Sequence, residues 1–316
     1  MPEVAGAKVV GPKVVVLGPT ASGKSEVALA AARAVPGTEI VAIDAMQVYR
    51  GMDIGTAKPT PADRAAVPHH GLDLVEPTTD MAVPQFRAAV DAALVEIADR
   101  GRTALGVAGT GLYLTAVLDR LELPGTWPDV RAGLEAQLAA DGDPGRLFAR
   151  LTEADAAAAA RIEPGNSRRI VRALEVTLGS GRAFSSFGPG VAAFPPIPTP
   201  QLGIRWPRAL LGERVDARVD AMVAAGLLDE VRRVRAGGMG RTAGQALGYK
   251  ELVDHLDGRV TFDDAVAAIK RRTRQFATRQ ERWFRRDPRV RWYDVDAAAA
   301  DPLEPVRSAV IAALRA

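Results

Sequence analysis

"GPTASGKS", residues 18–25, follows the apolar run "KVVVL" (13–17) and leads into the Ala-rich "EVALAAARAV" (26–35). Its spacing is G-x-x-x-x-G-K-[ST]. Glycines at 18 and 23 let the backbone approach an anion, and successive N–H groups at a helix N-terminus supply positive potential. In this reading Gly18, Pro19, Thr20, Ala21, Ser22 and Gly23 form the cradle. Lys24 reaches the outer phosphate, and the Ser25 hydroxyl ligates Mg²⁺. The β-branched run before the loop predicts a buried strand and the stretch after it a helix, which is the context the motif requires. The motif leaves the fate of the phosphate open: it can be transferred, hydrolysed or lost as a leaving group.

Working outward, "EIVAID" (39–44) predicts a second strand and "TALGVAGTG" (103–111) a third, with "FRAAVDAALVEIADRG" (86–101) as a helix between them. Alternation of strands and helices implies a parallel sheet flanked by helices, a P-loop NTPase-like α/β core. From about Leu118 to Ser186 only helical patterns follow. The reading is therefore a core of residues 1–117 and 201–316, interrupted by an all-helical insertion, 118–200. The Pro-rich "FGPGVAAFPPIPTP" (187–200) closes the insertion as a stiff connector. "QLGIRW" (201–206) resumes the sheet, "ERVDARVDAMVAAGLLDEVRRVRAGG" reads as one long helix ending at Gly237-Gly238, "FDDAVAAIKRRTRQFATRQERWFRR" as another, and "VRWYDVD" (290–296) as a last strand.

The composition bounds the function. Hydrophobic residues make up 47% of 316, ample for a packed core. Cys is absent, which excludes disulfides and Cys-based metal sites, and three histidines are poor material for a zinc enzyme. No apolar run approaches the ~18 residues of a membrane span. "MPEVAGAKVVGPK" contains no apolar signal segment, so a soluble cytoplasmic protein with no membrane partner is expected. Net charge is only +3, but ten basic residues against two acidic ones lie between Lys270 and Arg291, and a second basic cluster occupies "NSRRIVRALE" (166–175). Such stripes suit a polyanionic partner or a solvated helix face.

Several residues stand where chemistry is done. Asp44 ends the second strand, at the carboxyl edge where open α/β sheets bind ligands. It can be a general base, a Mg²⁺ ligand or a cap. Thr110 occupies the same edge, with a satisfied turn hydroxyl as its plain reading. Arg214 and Arg218 lie one turn apart on a helix, a spacing that by itself favours surface ion pairs. "TAGQALGYKEL" (242–252) carries an exposed-looking Tyr and Lys. Phe276 and Trp283, seven apart, read as core packing, and His69-His70 as structural.

In order along the chain, "GPTASGKS", "DAMQVYRGMDIGTAKP", "VPHHGLDL", "AGTGLYL", "RIEPGNSRRIVRALEV", "GLLDEV", "QALGYKEL" and "TRQFATRQERWF" resemble the motifs of the bacterial tRNA dimethylallyltransferase family. The resemblance runs from about residue 12 to 295. One departure is Ala108, where many relatives have Gly. The resemblance implies transfer of a dimethylallyl group from dimethylallyl diphosphate, with Mg²⁺, to N6 of the adenosine 3′ of the anticodon, in tRNAs reading codons that begin with U. By the same resemblance residues 18–25 and Arg218 hold the diphosphate, Asp44 is the general base, and Thr110 and Lys24 act at the catalytic channel. Asp44, Ala45, Met46 and Gln47 meet the target base. Arg168, Arg169, Ile170, Val171 and Arg172, with Gln245, Ala246, Leu247, Gly248, Tyr249 and Lys250, contact tRNA, and the helical insertion grips the anticodon stem-loop. One chain supplies both sites, so a monomer is expected. The rivals are a small-molecule kinase, a prenyltransferase acting on free adenylate, and a non-catalytic RNA-binding ATPase.

Overall fold

In the computed structural model, which describes residues 11–188 and 190–316, "VVVL" forms β1 (Val14–Leu17) and the phosphate loop feeds α1 (Lys24–Ala34). Residues 1–10 of the N-terminal stretch and Pro189 of the Pro-rich connector lie outside the described residues. β2 (Thr38–Ile43), α2 (Pro61–Ala66), the two-residue β3 (His69–His70), α3 (Val83–Asp99), β4 (Thr103–Ala108) and α4 (Gly111–Leu118) follow. A helical stretch then holds α5 (Pro128–Asp141), α6 (Gly145–Ala154), α7 (Ala156–Ala159) and α8 (Ser167–Ser180). The chain returns as β5 (Gln201–Arg205), α9 (Arg208–Ala224), α10 (Leu227–Ala236), α11 (Tyr249–Leu256), α12 (Phe262–Phe284), β6 (Val290–Asp294) and α13 (Glu304–Arg315).

The six strands form one parallel sheet in the order β3-β2-β4-β1-β5-β6. Its strands read as unbroken apolar runs because both faces are covered. Val15 and Leu17 join one core with Phe86, Val90 and Leu94 of α3, while Val14 and Val16 join the other with α1 and α13. Each such fully buried Val or Leu contributes on the order of 1.5–3 kcal/mol. Register then does the positioning. Leu17 pairs with Ala108 and Ala108 with Ile43, so Gly18, Gly109 and Asp44 leave the sheet at the same level of its carboxyl edge.

The described chain divides into two compact units, Arg120–Ala193 and the rest, where the expected boundaries were 118 and 200. Within Arg120–Ala193, Leu134, Leu147, Leu151, Ile170 and Leu174 make a core. Glu175 is buried there, accepting from the Trp127 N–H at 2.9 Å and pairing with Arg131 and Arg172. Gly179 is required by close approach: a Cβ would lie 2.2 Å from the Trp127 ring. Among the described residues, no helix is long and apolar enough to cross a membrane.

Three readings need correction. The long helix expected over 213–238 starts earlier, at Arg208, and breaks at Gly226, whose φ of 95° only glycine adopts readily. Within the all-helical insertion, the single helix expected over "DPGRLFARLTEADAAAAARI" (143–162) splits at Asp155, whose carboxylate caps α7 and binds Ser185 through its backbone N–H and hydroxyl. The helix expected over 86–101 begins earlier, at Val83, and a helix and a strand that no pattern predicted precede it. Thr60 and Asp63 form a capping box that starts α2, and His69–His70 adds a strand to β2.

Candidate active site

The phosphate loop is pinned from outside by side chains distant in sequence. Trp206 donates its indole N–H to the Ser22 carbonyl at 3.0 Å, and Arg214, stacked on Trp206, donates to the Ala21 carbonyl at 2.9 Å. Gln280 of α12 accepts from the Thr20 N–H at 2.9 Å. Ala21 is held at a φ of 63°, a left-handed conformation in a non-glycine residue. The fixed loop needs little reorganisation to receive an anion, which is how such cradles work. Lys24 donates to the Pro19 carbonyl at 3.3 Å, and Ser25 is exposed at the first turn of α1.

Across the same edge, Asp44 Oδ1 accepts from the N–H groups of Met46 at 2.8 Å and Gln47 at 3.4 Å. Asp44 is thus a cap, and more: Oδ2 has no hydrogen bond among the described residues. Gly109 makes room for that oxygen, since a Cβ there would lie 2.6 Å from Oδ2 and 3.4 Å from Lys24 Cε. Thr110 Oγ1 accepts from the Ala45 N–H at 3.0 Å, tying the end of β4 to the "DAMQ" turn. Its own hydroxyl proton stays available.

The electrostatics join these groups. Burial, and then the Arg218 charge, push the Lys24 ammonium down to about 8, with Asp44 opposing the shift. Burial likewise lowers Arg218, opposed by Asp44 and reinforced by Arg214. Two cations with depressed pKa values against one carboxylate leave an excess of positive charge that a bound anion can neutralise. Mg²⁺ binds to proteins through one or two oxygen ligands while completing its shell with water and substrate phosphate. Ser25 fits that role, and no cluster of three or more His, Asp or Glu able to hold a metal exists among the described residues.

The sequence model of the family described as IPP transferase matches residues 47–287. The chain is 51% identical over 304 residues to a tRNA dimethylallyltransferase of Kineococcus radiotolerans, covering 94% of both chains. In structure it is similar to the full-length tRNA isopentenylpyrophosphate transferase of Bacillus halodurans (TM-score 0.68, 36% identity, 96% of each chain). It also resembles a eukaryotic dimethylallyltransferase solved acting on tRNA (TM-score 0.74, 25% identity, 90% of this chain and 74% of that one). The chain belongs to the IPP transferase family.

For this IPP transferase family member the remaining expected site residues divide by burial. Ala45, Met46 and Gln47 are half-buried on the turn, and both amide hydrogens of Gln47 are committed to the carbonyls of Thr56 and Ala57. Arg168 and Arg169 are exposed on α8, whereas Ile170 and Val171 are buried in the core of the helical unit. Arg172 pairs with buried Glu175 at 2.9 Å and donates to the carbonyls of Pro124 and Gly125. Ile170 and Val171 pack the core and Arg172 is held by Glu175, because a helix must bury one face. The exposed-looking Tyr249 is instead fully buried, donating to Glu230 at 2.5 Å. Burial, and then the Glu230 carboxylate, raise its phenol pKa. Ala246 and Gly248 are buried too, leaving Gln245, Leu247 and Lys250 with accessible surface.

Reading residues one at a time missed Trp206, Glu230 and Gln280. Trp206 ends "QLGIRW" and Glu230 lies in "GLLDEV", so the motifs held them without showing their role. The spacing of Arg214 favours a surface ion pair, whereas the structure bonds it to the phosphate loop. His69 and His70 are structural, bonded to the Val67 carbonyl and to Glu39. Trp283 packs on Gly111, where a Cβ would lie 2.0 Å from the indole.

Proposed function

We propose that this chain transfers the dimethylallyl group of dimethylallyl diphosphate to N6 of the adenosine 3′ of the anticodon in tRNAs reading codons that begin with U, releasing diphosphate. The observation that carries the reading is Asp44, whose Oδ2 has no partner and whose charge acts on both Lys24 and Arg218 beside a phosphate loop. The names and titles of the related proteins support tRNA as the acceptor.

The exocyclic amine of adenine is a weak nucleophile because its lone pair is delocalised into the ring. A bond forms from N6 to the allylic carbon while the carbon–oxygen bond breaks, and that electron pair leaves with the diphosphate. The N6 proton goes to Asp44 Oδ2, a role that typically contributes ~10²–10⁴-fold. Lys24, Arg218 and the loop amides neutralise charge as it grows on the leaving group. Thr110, whose hydroxyl accepts from Ala45, directs its proton toward the scissile oxygen. Ser25 would hold Mg²⁺, which when bound would supply further neutralisation of the diphosphate. An adenine inside a stacked loop must be extruded to reach Asp44, at a cost of a few kcal/mol. Arg168 and Arg169 on the helical unit contact RNA phosphates and offset that cost, which makes binding salt-sensitive.

The test is incubation with radiolabelled dimethylallyl diphosphate, Mg²⁺ and unmodified tRNA, beside a reaction offering AMP. Label in tRNA alone is expected. Label in AMP assigns a free-nucleotide acceptor, and label in neither removes the prenyl-transfer reading.

A further inference from the structure

Gln280 lies on the buried face of α12, 7% exposed, and its side-chain amide spans two parts of the site. Oε1 accepts from the Thr20 N–H of the phosphate loop at 2.9 Å, and Nε2 donates to the Gly109 carbonyl at 2.7 Å. Both partners are backbone groups of single polarity. Only a tip with one acceptor and one donor satisfies both, and the Gln amide carries that pair without charge. Thr20 belongs to the wall that holds the leaving group. Gly109 precedes Thr110 and stands against Asp44 Oδ2. One turn on, Trp283 presses on Gly111 and fixes the same turn from the other side.

We propose that Gln280 is a positioning residue for the transfer: its amide sets the separation between the diphosphate cradle and the Asp44–Thr110 side. It touches no substrate. The inference rests on the proposed transfer reaction, in which the allylic carbon on one wall must meet N6 on the other. A misplacement of about 1 Å between reacting groups costs on the order of 10² in rate.

The experiment compares the full-length wild type with Gln280→Met and Gln280→Glu. It measures kcat, KM for dimethylallyl diphosphate, KM for tRNA and melting temperature. Gln280→Met is expected to lower kcat by about 10–100-fold with KM for tRNA within about twofold. Gln280→Glu is the isostere that guards against a folding failure. Its carboxylate still accepts from Thr20 but offers the Gly109 carbonyl no proton, whereas the neutral acid does. A carboxyl buried there titrates above its ordinary ~4.3. The kcat deficit of Gln280→Glu relative to wild type therefore shrinks as pH falls from about 8.5 to about 5.5. Gln280→Met adds no titratable group, so its deficit, measured across the same pH range, is the reference against which that of Gln280→Glu is read.

A packing role would lower the melting temperature of both variants in step with kcat, and that result overturns the inference, as does a pH-independent deficit of Gln280→Glu or kcat of both variants within twofold of wild type. A wild type that transfers nothing overturns the reaction itself. A wild type that transfers while both variants match it overturns only the role of Gln280.

Discussion

The segment from Asp44 to Lys58 is held at both ends by carboxylates, and they are held differently. Asp44 spends one oxygen on the turn that follows it, and among the described residues Oδ2 has no hydrogen-bond partner. Glu230, reaching in from α10, spends both: Oε2 accepts from the N–H groups of Asp53 and Ile54 at 2.9 and 2.8 Å, and Oε1 from Gly55 at 3.0 Å and from the Tyr249 hydroxyl. It is only 2% exposed. A buried carboxylate with every lone pair committed is a clamp, since a proton has nowhere to go. One with an oxygen left free still has a lone pair to offer. The far end is locked further by Lys58, whose ammonium is 1% exposed and shared between Asp53, Asp73 and the Tyr49 carbonyl. The segment is thus fixed at one end and keeps an open acceptor at the other.

Substituting the open carboxylate breaks the contrast most directly. Asp44→Asn keeps an acceptor for the turn but removes the base, so tRNA transfer should fall ~10²–10⁴-fold with tRNA affinity within about twofold. Single-turnover rates alongside a filter-binding titration measure this, and an unchanged rate excludes Asp44 as the proton acceptor. Gly109→Ala approaches the same oxygen from its neighbour. The added methyl must displace Asp44 Oδ2, and transfer should drop on the order of 10²-fold with the melting temperature little changed.

The closed carboxylate should answer in stability instead. Glu230→Gln leaves a buried N–H group facing an amide hydrogen, and a loss of about 1–3 kcal/mol in urea unfolding is expected. A variant of wild-type stability would show that the clamp carries no energy. The smallest effect concerns charge. Because the ligand-free Lys24 ammonium titrates at about 8, below its ordinary range, it is protonated at pH 7 and loses its proton as pH rises through 8. Bound diphosphate favours the charged form, so inorganic pyrophosphate binding should weaken by up to about tenfold per pH unit above 8. Calorimetry in buffers of differing ionisation enthalpy will register the proton taken up, and a pH-independent affinity from 7 to 9 would falsify the shift.

What could be read along the chain was what depends on neighbours in sequence. The P-loop spacing and the alternation around it identified the parallel core and the loop at its edge, and the ordered motifs identified the family. The break at Gly226 was harder, because apolar periodicity continues through "AAGLLDEV" on either side of a glycine that helices also tolerate. The two-residue β3 is too short for any period to register, and α13, which packs against α1, was not anticipated.

Sequence by itself determined that a phosphate-loop motif carrying Lys24 follows β1 and that Asp44 and Thr110 lie where strands of the same sheet end, from local spacing and from the rule that parallel strands end at one edge. Arg218 entered only through the family resemblance, since its spacing alone favours a surface ion pair. Only the tertiary structure decided which polar groups are still free. Asp44 and Glu230 are both acids in motifs. Arg169 and Arg172 are both arginines on one helix, yet one is exposed and the other is bound to Glu175. Gln280 lies 260 positions from the backbone N–H it satisfies. Whether a lone pair or a proton remains available depends on every group that folding brings within about 3 Å, and no stretch of chain contains that information.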